Sequence, residues 1–153
     1  MKRLLFLAAL SALAFAADPQ EVKMLPEGPG KDAVVKVCLD CHGAANFRKA
    51  RKDSGEWADS VDDMVDRGAK ATPPEVETIV AYLIKHFGKD AKVQINTAPL
   101  EEIKVVLGFT VPEAKSIVDY RDQTGPYKTW RDLLKAPGVD PAKVESKKDA
   151  IVF

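Results

Sequence analysis

The sequence predicts a mainly α-helical chain made of two small units in tandem. Three observations carry that expectation. Val76, Ile79, Val80, Leu83, Ile84 and Phe87 recur at helical spacing between a Thr72-Pro73 start and a Gly88 stop. After Gly88 the pattern changes to short apolar helices interrupted by glycine turns at Gly108, Gly125 and Gly138. The full length of 153 residues leaves room for two small domains. The expected division is a leader over residues 1–16, a first domain over 17–91 and a second over 92–153.

The leader reads as a secretory signal peptide. Lys2 and Arg3 precede an apolar run from Leu4 to Leu13, and Ala14-Phe15-Ala16 forms a small-x-small cleavage site. The mature chain is therefore expected to be periplasmic or otherwise exported, with no membrane span after cleavage. In the first domain, Gly30, Val34 and Cys38 lie four residues apart and predict one helix face. Val61, Met64 and Val65 fit the apolar stripe of a further short helix, with Phe47 and Trp57 as core candidates. Thr72 with Glu75 makes a capping box ahead of the strongest helix in the chain. Arg48, Lys49, Arg51 and Lys52 form a basic run, read as a solvated face or a surface that steers an acidic partner.

The chemistry-bearing stretch is Cys38-Leu39-Asp40-Cys41-His42-Gly43, which holds both cysteines of the chain. Three readings compete. A redox dithiol normally follows a buried strand, whereas this motif follows the helical segment Lys31–Val37. A zinc site needs four ligands, and beyond this motif only His86 and scattered carboxylates remain. Covalent haem needs only what is present. Two thiols add to the porphyrin vinyl groups, and the adjacent His42 serves as proximal iron ligand. One haem c is the expected cofactor.

Gly30, Val34, Cys38-Leu39-Asp40-Cys41-His42 and the capped helix carrying Tyr82-Leu83 together resemble a class I cytochrome c over roughly residues 28–90. The resemblance implies crossing first and last helices, with Gly30 meeting Tyr82. It also implies a methionine as distal iron ligand, for which Met64 is the candidate, His86 being the rival and more readily a surface histidine. Met/His ligation closes the iron, so the implied function is single-electron transfer with a redox partner protein. The chain is then not an enzyme, and peroxidase-like activity would require an open sixth position.

From Val93 onward the paired short helices are helix-hairpin-helix units. Ile95-Asn96-Thr97-Ala98, Gly108, Ala114, Ile117-Val118-Asp119-Tyr120-Arg121, Gly125, Tyr127, Asp132-Leu133 and Gly138-Val139 resemble the DNA-binding domain of competence DNA-uptake receptors. In that family the hairpin reads glycine-apolar-glycine, and the following N–H groups grip a phosphate. Here the hairpins read Gly108-Phe109-Thr110 and Gly138-Val139-Asp140, each without its second glycine. Thr110 and Asp140 are expected to cap their own helices. From residue 92 the chain has ten Lys/Arg against nine Asp/Glu, so no basic face is evident.

Gly108, Thr110, Lys115, Gly138 and Lys143 nevertheless mark the DNA or docking face. The preferred expectation is protein docking for an electron carrier, as in the photosystem II lumenal subunit that this pattern also resembles. The alternative is a DNA-binding protein of the competence-receptor type, with haem in a sensing or structural role.

Overall fold

The computed structural model describes residues 17–153, and the leader expected over 1–16 lies outside the described residues. The chain is mainly helical. Helices α1 (Pro19–Lys23), α2 (Lys31–Cys38), α3 (Ala45–Arg48), α4 (Ser54–Asp66) and α5 (Pro73–Phe87) come first. They are followed by β1 (Val93–Gln94), α6 (Leu100–Leu107), α7 (Val111–Thr124), a 3-10 turn (Trp130–Lys135), α8 (Pro141–Lys147) and β2 (Ile151–Val152). Among the described residues, no helix is long and apolar enough to cross a membrane.

Two hydrophobic cores form, one on each side of Gly88. In the first, α5 packs against both α2 and α4. Its start is set by the Thr72–Glu75 capping box, and that of α4 by Asp53 and Glu56, which exchange side-chain and backbone bonds at 2.8 and 2.9 Å. The expected approach of Gly30 to Tyr82 is present: a Cβ at Gly30 would stand 2.9 Å from Tyr82 Cβ. The Tyr82 hydroxyl donates to Pro26 O at 2.7 Å, and Trp57 Nε1 donates to Phe87 O at 3.1 Å. Both polar tips are thereby satisfied within the core.

The second core gathers Ile103, Leu107, Phe109, Ala114, Ile117, Leu133 and Val144 around the turns. Its two ends are tied together by β1 and β2, parallel, with Val93 opposite Ile151 and Gln94 opposite Val152. Asn96 closes the unit by receiving Tyr127 N–H and donating to Tyr127 O, both at 2.8 Å. Nothing in the short segments Val93–Gln94 and Ile151–Val152 announces this pairing, because two-residue strands carry no period.

The basic run behaves differently from expectation. Arg48 is fully buried and Arg51 largely so. Arg48 Nε meets Glu102 Oε2 at 2.6 Å and Arg51 Nη2 meets Glu102 Oε1 at 2.7 Å, which joins α3 to α6 across the two cores. The Arg48 guanidinium also lies 5.5 Å from the Phe87 ring centroid. The run is an inter-core clamp, because one buried carboxylate gathers two of its four cations. His86, expected on the surface, is half-buried against Tyr82 with ring centroids 4.5 Å apart.

Candidate functional site

Two places bring the sequence-predicted residues together. The first is the pair of hairpins. Gly108 at φ +75° ends α6 and Gly138 at φ +77° precedes α8, so each turn uses a left-handed glycine. Thr110 caps α7, its hydroxyl accepting Glu113 N–H at 3.4 Å, and Asp140 caps α8 by accepting Ala142 N–H at 2.9 Å. Both caps are as the sequence predicts.

The structure adds a residue that the reading of the hairpins passed over. Glu113, nearly buried, sits between the two hairpins. Its carboxylate accepts Thr110 N–H at 2.7 Å, the Thr110 hydroxyl at 2.6 Å, Asp140 N–H at 3.2 Å and the Lys143 ammonium at 2.6 Å. Burial alone would raise its carboxyl. The Lys143 charge and these donors outweigh that and hold it at about 2. The Thr110-x-x-Glu113 spacing is a capping-box signal and was available to find it.

Lys143 thus faces inward onto Glu113, while Lys115 projects outward and pairs with Asp119 at 2.5 Å. Ser116 Oγ donates to Pro137 O at 2.7 Å and fixes α7 against the second turn.

The second place is an apolar cleft of about 510 Å³ in the first core. Cys38, Cys41, His42, Trp57, Met64 and Leu83 line it, so the four residues singled out for cofactor chemistry do converge. Both cysteines are free thiols, Cys38 half-buried and Cys41 exposed. Burial pushes the Cys38 thiol up to about 11. His42 Nδ1 lies 3.4 Å from Gly43 O; with the proton on Nδ1, the Nε2 lone pair is left free. Met64 is 37% exposed although its helix neighbour Val61 is buried, so it is not an ordinary core residue of α4.

Comparison with known proteins bears on the hairpins. Residues 88–152 match the family model described as helix-hairpin-helix motif. ComE operon protein 1 of Bacillus subtilis is 38% identical over 64 residues, which is 42% of this chain and 31% of that protein. An uncharacterized protein of Haemophilus influenzae is 36% identical over 63 residues, 40% of this chain and 56% of its own length. Mouse endonuclease/exonuclease/phosphatase family domain-containing protein 1 is 41% identical over 51 residues, 33% of this chain and 9% of that protein. The chain therefore spans less than two thirds of each of these relatives. No solved structure matches it.

These findings correct the expected class I cytochrome c and, with it, single-electron transfer as the function of the chain. The family model and these relatives align with the helix-hairpin-helix half of the chain, and none of them aligns with a cytochrome domain. Among the described residues, no three or more His, Cys, Asp or Glu side chains come together in a group that could hold a metal ion. The metal-binding character expected of the chain has no such cluster behind it.

Proposed function

We propose that the chain is a DNA-binding protein of the competence type, and that the paired hairpins of its C-terminal half make the contact. The observation that carries this reading is the side-by-side setting of two glycine hairpins, in a segment matching the helix-hairpin-helix family model. Gly108 and Gly138 let the two turns bring helix-start donors together around Glu113, and such donors suit a phosphate rather than a base edge. Recognition is then of the backbone, independent of sequence. Redox-partner docking, preferred on the charge count, gives way to DNA. The role is binding rather than catalysis, and export rests on the pattern of residues 1–16.

The test is fluorescence anisotropy of a labelled duplex over a salt series. The reading expects affinity that falls linearly in log–log form as salt rises, with a slope of about −0.9 per phosphate neutralised. Absence of binding at low salt would overturn it.

The N-terminal cleft has a place in the same proposal. Were one haem c held there covalently, Cys38 and Cys41 would supply the thioether links and His42 and Met64 the iron ligands, with an apolar wall including Trp57 and Leu83. When bound, the group supplies a flat apolar body and an iron centre. In the proposed structural role, the cleft residues of α4 and α5 would hold that body and complete a core of modest size. The intact mass and absorption spectrum of protein matured in a bacterial periplasm test this, independently of any DNA measurement.

A further inference from the structure

Both hairpins lack the second glycine of the phosphate-gripping pattern, and a carboxylate of the chain itself occupies their donors. Thr110 N–H and Asp140 N–H are the backbone donors at the positions where the two hairpins have lost their second glycine. Both donate to Glu113, at 2.7 and 3.2 Å. Lys143 donates to the same carboxylate at 2.6 Å. Glu113 is only 7% exposed, so water offers it little alternative. One buried carboxylate therefore takes two backbone donors, a hydroxyl and an ammonium. A phosphodiester oxygen asks for that same donor set.

We propose that Glu113 is a built-in phosphate surrogate, which competes with the nucleic-acid backbone for the hairpin donors and holds the affinity of the C-terminal half low. The inference rests on the proposed DNA-binding function and deepens it. The geometry leaves α7 intact without the charge, because the Thr110 hydroxyl caps Glu113 N–H through the backbone, whatever the side chain at 113. A neutral amide at 113 can still receive Thr110 N–H through its carbonyl oxygen. It leaves Lys143 without its counter-charge and removes the repulsion that a phosphate would meet.

The experiment compares the full-length chain with Glu113→Gln, and with Glu113→Gln combined with Lys143→Ala, by anisotropy on a labelled duplex. Circular dichroism confirms that each variant is folded. The proposal expects Glu113→Gln to bind at least about tenfold tighter. Its log–log salt slope should steepen by about 0.9 as Lys143 joins the phosphate contacts. Lys143→Ala in that background should abolish the steepening.

Wild-type binding that Glu113→Gln leaves unchanged or weakens overturns the surrogate role while the DNA reading stands. Binding by neither protein overturns both. Binding by Glu113→Gln alone upholds the surrogate role and overturns DNA binding as the function of the wild-type chain. Should Glu113→Gln fail to fold, amide shifts of Thr110 and Asp140 in the wild-type chain titrated with duplex decide the matter. Large shifts at both support displacement of Glu113, and unchanged shifts with saturable binding overturn it.

Discussion

Arg48 and Glu102 form an ion pair that is 0% and 1% exposed, with Nε and Oε2 2.6 Å apart, at the boundary between the two cores. Arg51 binds the other oxygen of the same carboxylate. Burial drives the Arg48 guanidinium downward from its usual value, and the Glu102 charge opposes the shift. The two halves are therefore docked by charge, and neither hangs freely from the Lys89–Lys92 connection. Lys89 itself is anchored on Asp53 at 2.9 Å.

Removing one partner of this pair leaves a buried charge behind. Glu102→Gln is expected to lower unfolding free energy by about 3 kcal/mol, because Arg48 loses its counter-charge. Replacing both, Arg48→Met with Glu102→Leu, should recover much of that loss. Urea unfolding followed by circular dichroism measures both. Equal loss in the single and the double variants would contradict the account.

Gly30 is held where a side chain has no room. Its φ is +94°, and an added Cβ would stand 2.9 Å from both Thr78 O and Tyr82 Cβ. Gly30→Ala is expected to cost about 2–4 kcal/mol, combining overpacking with backbone strain. Gly68 also has a positive φ, +105°, but nothing lies within 4 Å of its added Cβ. Gly68→Ala should therefore cost about 1 kcal/mol. The difference between these two melting shifts isolates the crowding at the α2–α5 crossing.

Acid should destabilise the hairpin half in a defined window. Glu113 is held at about 2, below its ordinary 4.5, by Lys143, Thr110 and Asp140 against the opposing effect of burial. A depressed carboxyl contributes stability that is present above about pH 4.5 and lost as pH falls toward about 2. Glu75, at about 2 through Lys36 and Thr72, adds in the same direction for α5. Thermal melting across pH 2–6 checks the sign, and Glu113→Gln should flatten the acid limb.

The two thiols should differ in reactivity when the cofactor is not attached. With the Cys38 thiol at about 11, roughly one molecule in a thousand carries the thiolate at pH 8. Cys41 is exposed. In chain expressed without export, iodoacetamide should label Cys41 well before Cys38, as read by peptide mass. In periplasmically matured chain, neither should label. Labelling of both thiols there would remove the covalent haem from the account.

Much of the fold was legible because helices announce themselves locally. The Thr72 and Thr110 caps, the Val76–Phe87 stripe and the glycine turns are all encoded within a few residues of where they act. Cys38, Cys41 and His42 reach one cleft because the motif sets them side by side, whereas Met64 was joined to them only by the cytochrome resemblance that the comparisons correct. What escaped was non-local. Arg48 looks like any surface cation until Glu102, fifty-four residues away, is brought to it. The β1–β2 pair joins the two ends of one unit, and neither segment is long enough to show a period. The charge tally from residue 92 spoke against a basic DNA-binding face, but it could not show that Lys143 and Glu113 are spent on each other between the hairpins.

The central claim is that the hairpin pair meets DNA. Amide shift mapping of the isotopically labelled chain against increasing duplex tests it most directly. The account predicts perturbations concentrated at Thr110, Val111, Asp140 and Lys143, diminishing as salt is raised. Perturbations confined to the Cys38–Met64 cleft, or none at low salt, would contradict it.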